Sequence, residues 1–167
     1  SGSNTVMRRA RARSAAVGGS APRLSRIRAI VAAGIPVVAH LGLTPQTATA
    51  LGGLRAQGRT AATAARLVRE ARGVQEAGAF AVVMEMVPGD VAERISTELT
   101  IPTIGIGAGA GCDGQVLVWQ DAFGLRTGRM ARFVKQYADL HGVLLEAART
   151  FDPEVKNGAF PGPEHTF

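Results

Sequence analysis

A chain of 167 residues that is 46% hydrophobic and 19% charged carries enough apolar side chains for one globular domain with a sizeable core, which excludes wholesale disorder. The formal net charge of +6 excludes less than it suggests: residues 1 to 28 hold seven of the 19 basic residues (Arg8, Arg9, Arg11, Arg13, Arg23, Arg26 and Arg28) and no acidic one, which leaves twelve basic against 13 acidic residues and no basic nucleic-acid face for the body. One cysteine, Cys112, excludes an internal disulfide and fits a reducing cytoplasm, and no apolar run approaches the roughly 18 to 20 residues that a membrane helix needs.

Residues 1 to 24, rich in Ser, Gly, Arg and Ala, show no sustained hydrophobic period and are expected to form a mobile tail ahead of a globular part over 25 to 167. Arg8-Arg9 is not followed by the continuous apolar stretch of an export signal, so a soluble cytoplasmic protein is expected. Ile27, Ile30 and Val31 share a helical face, and Gly34 then Pro36 supply the stop. The run from Pro36 to Gly42 is apolar on both alternating faces, the pattern of a strand buried between helices in a parallel sheet. Ala79 to Val87 and Ile101 to Ile106 read the same way, and Gln115 to Trp119 predicts a shorter fourth strand. Helices are predicted between them: Thr60 to Ala77, with Ala64, Leu67, Val68, Ala71 and Val74 at helical spacing and Gly78 in the left-handed terminal position, and Asp90 to Leu99, with Val91, Ile95 and Leu99 on one stripe. A last helix, about Ala131 to Arg149, would place Phe133, Val134, Tyr137, Leu140 and Leu144 on an apolar face. Strand and helix alternating in this order predict an α/β domain with a parallel sheet, and pattern alone leaves an open sheet and part of a barrel equally open.

Glu85 is the most informative residue, a carboxylate inside the apolar run Ala81-Val82-Val83-Met84-Glu85-Met86-Val87-Pro88. It is expected to reach a largely buried site near the carboxyl end of its strand, the edge where α/β folds place their active sites, and burial makes a carboxylate a stronger base than an exposed one. The structural alternative is an interior acid satisfied by an arginine or by backbone amides. His40 ends the preceding strand on the same edge, and either donates a hydrogen bond to an anionic substrate or serves as a hydrogen-bonded structural residue. Gly105-Ile106-Gly107-Ala108-Gly109-Ala110 matches the dinucleotide fingerprint loosely, but Gly111-Cys112-Asp113-Gly114 continues as loop, so no helix terminus is offered to a pyrophosphate. Cys112, beside Asp113 and without a nearby cation, reads as an ordinary loop thiol, and Trp119 as a core residue. No His, Cys or carboxylate cluster has zinc-ligand spacing, and no metal ligand is assigned.

Seven blocks then become specific in combination. They are Gly34-Ile35-Pro36-Val37-Val38-Ala39-His40-Leu41-Gly42-Leu43-Thr44-Pro45-Gln46; Gln57-Gly58-Arg59; Glu85-Met86-Val87-Pro88; Ile101-Pro102-Thr103-Ile104-Gly105-Ile106-Gly107-Ala108-Gly109; Asp113-Gly114-Gln115-Val116-Leu117-Val118; Asp121-Ala122-Phe123-Gly124; and Pro161-Gly162-Pro163-Glu164-His165-Thr166-Phe167. In this order they resemble the later part of ketopantoate hydroxymethyltransferase, in wording most like actinobacterial members. The resemblance implies an incomplete (β/α)₈ TIM barrel of the phosphoenolpyruvate mutase type, later strands and helices only, in a cytoplasmic, commonly decameric homo-oligomer with no nucleic-acid or membrane partner. It also implies a reaction: magnesium binds 3-methyl-2-oxobutanoate and polarises its carbonyl, a glutamate removes the proton at the branched carbon, and the enolate attacks the methylene group of 5,10-methylenetetrahydrofolate. Matched residue by residue, the base is Glu85 and His40 is a substrate-binding contact. The two magnesium-ligating aspartates of the family have no counterpart here, and in the family's Lys-x-Glu-Gly-Gly motif the lysine falls on Ala15 and the glutamate on Val17, within Ala15-Ala16-Val17-Gly18-Gly19. These departures lead to the expectation of a truncated copy whose arginine-rich segment replaces the lost half, and to the alternative of a non-catalytic homologue or interaction module.

Overall fold

The structure is a computed structural model and describes residues 21–43 and 58–167. The arginine-rich stretch before residue 21, the Ala15–Gly19 segment, Thr44-Pro45-Gln46 and Gln57 lie outside the described residues. The elements are α1 (Ala21–Ala32), β1 (Val38–Gly42), α2 (Ala61–Glu76), β2 (Ala81–Glu85), α3 (Gly89–Glu98), β3 (Thr103–Ile106), β4 (Gly114–Gln115), α4 (Trp119–Ala122) and α5 (Leu140–Asn157), followed by a 3-10 turn at Pro163–His165. The strands form one parallel sheet in the order β1-β2-β3-β4, so the α/β class and the incomplete-barrel reading agree with the observed architecture. The chain divides into two compact units at Val116/Leu117.

In the first unit, register explains which side chains form the core. Ala39 pairs with Val82 and Leu41 with Met84, Val82 in turn pairs with Thr103, and all five side chains are buried on one face. Helix α2 covers this face with Leu67, Val68, Ala71 and Val74, and α3 contributes Val91, Ala92 and Ile95 to the same cluster. Side chains such as Val82 and Met84, both 0% exposed, each contribute about 1.5 to 3 kcal/mol through removal from water. Helix α2 begins where Thr60 and Thr63 satisfy each other's backbone amides in a reciprocal cap, and Gly78 takes φ +94° just beyond its end, as its position predicts. Helix α1 begins several residues before the Ile27 face; Leu24 and Ile27 pack against the core while Ile30 stays exposed.

The sheet's other face carries His40, Val83, Glu85, Ile104 and Ile106, all half-buried. The expectation of strands buried between helices is therefore met on one face only: α2 and α3 cover the face of Ala39, Leu41, Val82 and Met84, while the other is half-buried.

Three expectations are corrected. The fourth strand is confined to Gly114–Gln115: the Val116 amide still donates to Gly105, but the Asp121 and Ala122 amides donate to the Val118 carbonyl, which opens α4. Trp119 is therefore the first residue of α4 and is 52% exposed, not core. The last helix starts at Leu140 and runs past Arg149 to Asn157, with Gly158 in the left-handed cap. Residues 131–139 are not helical, because the amides of Tyr137, Leu140 and His141 donate to the carbonyls of Ala122, Phe123 and Gly124 instead of completing a helical ladder. The Asp139 carboxylate then accepts the Gly142 amide and starts the helix. The predicted apolar face is not buried either, with Tyr137 at 64% and Leu144 at 55% exposure.

Candidate active site

The carboxyl ends of β1 and β2 bring His40 and Glu85 together. Glu85 is the last residue of β2 and is paired with Gly42, while His40 lies two residues earlier in β1, so both side chains leave the sheet on its half-open face. His40 Nε2 is 3.1 Å from Glu85 Oε2, with the side chains 25% and 17% exposed, which leaves the pair open to a solute. The same Nε2 is 3.0 Å from the Leu43 carbonyl oxygen. A carbonyl only accepts, so Nε2 carries a hydrogen.

The backbone around the pair is tightly determined. The Leu43 amide donates to the Glu85 carbonyl at 2.8 Å, and the Met86 amide donates to Ile106 at 2.9 Å. Gly42 has φ +87°, and a Cβ there would run into the Glu85 carbonyl oxygen and the Val87 side chain, so only glycine lets β1 cross so close over the end of β2. Met86 has φ +51°, a left-handed conformation at a residue that is not glycine, which costs on the order of 1 kcal/mol or more and here redirects the chain immediately after Glu85.

Next to this pair, the glycine-rich loop after β3 opens no helix, as its continuation predicts. Gly109 takes φ +79° and a Cβ on it would come within 2.9 Å of Gly89 Cα, so the loop lies directly against the start of α3. Gln115 Nε2 donates to the Gly109 carbonyl at 2.8 Å and ties the loop to β4. The loop's far end is pinned by Asp113, whose Oδ2 accepts from both the amide and the hydroxyl of the fully buried Thr103 at 2.8 Å. These bonds, the backbone amide first, hold the Asp113 carboxyl below its usual range. Burial pushes the Cys112 thiol up, with Asp113 adding to the effect against a hydrogen bond from Ser96, which makes it a poor nucleophile and fits an ordinary thiol.

The outer groove between α2 and α3, lined by Ala64, Val68, Arg69, Arg72, Asp90 and Arg94, does not include Glu85 or His40. Arg94 and Arg72 converge there on Glu98 and hold its carboxyl below the usual range. Among the described residues no three His, Cys, Asp or Glu side chains come together where they could hold a metal ion, so the magnesium implied by the family resemblance finds no ligand set in them. The Leu43 carbonyl and the Met86 backbone are parts of the site that sequence reading misses, since neither a carbonyl direction nor a left-handed methionine has a residue-type signature; Gly42 at a strand end was the available signal.

The fold is thus a parallel α/β sheet with a carboxylate and an imidazole in contact at its carboxyl edge, the edge where α/β folds bind small molecules. Residues 2–163 match the family model of ketopantoate hydroxymethyltransferase, and the chain belongs to that family. The 3-methyl-2-oxobutanoate hydroxymethyltransferase of Nocardioides sp. is 63% identical over 161 residues, 96% of this chain and 54% of the relative. That of Saccharopolyspora erythraea is 58% identical over 149 residues, 89% of this chain and 50% of the relative, and that of Mycobacterium leprae 57% over 142 residues, 85% and 49%. The chain thus spans about half the length of these curated relatives. The family match also begins at residue 2, so it takes in the arginine-rich segment, which the motif blocks alone left out.

Proposed function

We propose that this chain carries the proton-abstracting half of a hydroxymethyl transfer from 5,10-methylenetetrahydrofolate to 3-methyl-2-oxobutanoate, giving 2-dehydropantoate, with Glu85 as the general base and His40 beside it on the substrate-binding side. The observation that carries this reading is the 3.1 Å contact between Glu85 and His40 at the carboxyl ends of neighbouring parallel strands. Glu85 takes the proton from the branched carbon onto its carboxylate, and the carbanion so formed bonds to the one-carbon unit, while both C–N bonds of that unit to the folate break, tetrahydrofolate leaves with the protons its nitrogens need, and water supplies the oxygen of the new hydroxymethyl group. The rigid turn at Met86 and the close crossing at Gly42 keep the base from drifting while substrate binds. The same reading carries a cytoplasmic homo-oligomer, decameric as the family resemblance implies, with small molecules as its substrates. None of the described helices is long and apolar enough to cross a membrane.

Proton NMR of 3-methyl-2-oxobutanoate in deuterated buffer, with magnesium ion and the purified chain, tests it through loss of the methine signal. Exchange that depends on the chain and falls by about 100-fold or more in Glu85→Gln is expected. A folded sample that leaves the methine signal untouched overturns the reading in favour of a non-catalytic homologue or interaction module.

A further inference from the structure

The outer groove between α2 and α3, about 430 Å³ in volume, has more positive charge on its walls than the acids around it cancel. Arg69 and Arg72 on α2 and Arg94 on α3 line it, with Asp90 in the first turn of α3 as the lining acid. Arg72 donates through Nε to Glu98 Oε2 at 2.9 Å, with Nη2 2.7 Å from the same oxygen, and Arg94 donates through Nε to Oε1 at 3.0 Å. One carboxylate is thus shared by two guanidinium groups, which it orients through their Nε edges while the Nη groups of Arg94 stay without a partner among the described residues. Arg69 is exposed and forms no ion pair or hydrogen bond among the described residues, and residues 1–20 and 44–57 contain no acid to offer it one. Three arginines therefore stand against Asp90 and Glu98, and the surplus is fixed before any ligand arrives.

The groove's place in the fold says what kind of anion reaches it. A helix that follows a parallel strand starts at that strand's carboxyl edge, so the first residues of α2 and α3, Ala61 and Asp90 at the head of the groove, belong to the same edge as His40 and Glu85. From there the groove follows both helices outward to Arg72 and Arg94. We propose that it binds the γ-linked glutamate tail of the folate co-substrate, an extended chain with a carboxylate on each residue, through Arg69, Arg72 and Arg94. This rests on the reading of 5,10-methylenetetrahydrofolate as the one-carbon donor and adds to it where the charged end of that molecule lies, while the transferred carbon stays beside Glu85. Guanidinium groups suit carboxylates through paired N–H donors, and each further glutamate adds one negative charge, so affinity rises with tail length. Because the arginines are open to solvent, that gain is screened by salt.

Fluorescence titration of the full chain with pteroylmonoglutamate and with pteroyl-tri-γ-glutamate at low ionic strength tests it. The triglutamate is expected to bind about 10-fold more tightly, and the gap to close to within about 2-fold at about 1 M salt, where charges are screened over about 3 Å. Arg69→Glu, at an exposed position with no bond to lose, is expected to close the gap as well, whereas Arg149→Glu, the same charge change on α5, keeps it. Equal affinity for the two compounds, no measurable binding of either, or a gap that survives Arg69→Glu overturns the proposal; so does an equal loss in Arg149→Glu, which would trace the gap to net charge alone. The methine exchange assay contains no folate, so the two readings fail separately. Length-dependent binding without exchange removes only Glu85 as base, and exchange without length-dependent binding removes only the groove.

Discussion

Gly42 and Gly34 both have positive φ, +87° and +78°, yet their surroundings differ in a way that predicts unequal tolerance. At Gly34 a Cβ would meet nothing within 4 Å, so alanine costs only the backbone penalty of a left-handed L-residue, about 1 to 2 kcal/mol. At Gly42 the same penalty is joined by collision with the Glu85 carbonyl and with Val87 Cγ2 at 2.7 Å, neither of which moves without disturbing the strand pair. Urea unfolding should therefore place Gly42→Ala well below Gly34→Ala in stability, with the first also losing the methine exchange. Equal midpoints would show that β1 can withdraw from β2 at no cost. Glu85 itself was legible in the sequence because a carboxylate within a β-branched run is costly to bury and seldom stands there without a partner or a chemical role. What the run did not reveal is the atom Glu85 touches, since His40 and Glu85 are 45 residues apart and meet only through the parallel register.

At the scale of elements, α3, β3 and the loop before β4 are joined by one buried hydroxyl. Thr103 Oγ1 donates to Asp113 Oδ2, accepts from the Asp113 amide at 3.2 Å and lies 2.7 Å from Ser96 Oγ. Thr103→Val keeps the shape and strands these partners, which predicts a loss of about 1 to 3 kcal/mol in urea unfolding, whereas a simple volume effect would cost less than that. Asp113 adds a pH dependence whose sign follows from its lowered folded value. A carboxylate held below its ordinary 3.8 stabilises the fold fully above that pH and loses the contribution as pH falls through the lower folded value. Stability should accordingly fall from about pH 5 downwards, and Asp113→Asn should flatten that part of the profile; an unchanged slope in the variant would place the acid sensitivity elsewhere. The helices α2 and α3 were readable because their buried stripes are periodic, and α2 carries in addition a threonine cap at its start and a glycine after its end. The start of α5 was not, because Phe133, Val134 and Tyr137 mimic helical spacing while their segment's amides are taken by α4 and the turn after it.

For the whole chain, the two units differ in how much apolar surface each removes from water. The first has a continuous core from Ala39 to Ala108. In the second, Ala122 is buried while Val143, Leu144, Phe151 and Val155 on α5 stay 46 to 65% exposed, and the Glu146–Arg149 and Asp152–Lys156 pairs are surface pairs that contribute little. Hydrogen exchange should then show β2 amides protected at least about 100-fold better than those in the middle of α5. Comparable protection in both would mean that α5 is stabilised by contacts beyond its own unit.

The amino-acid sequence by itself determined the parallel α/β pattern, the family, and the candidacy of Glu85 and His40, because each rests on local period or on residues read in order. The tertiary structure alone decided that Nε2 of His40 donates to Leu43 while lying 3.1 Å from Glu85, that Met86 turns left-handed, that Trp119 is exposed and that β4 stops after Gln115. The physical reason is common to all four: each depends on which distant backbone group claims an amide, a carbonyl or a space, and that competition is settled only when strands from separate parts of the chain are set in register.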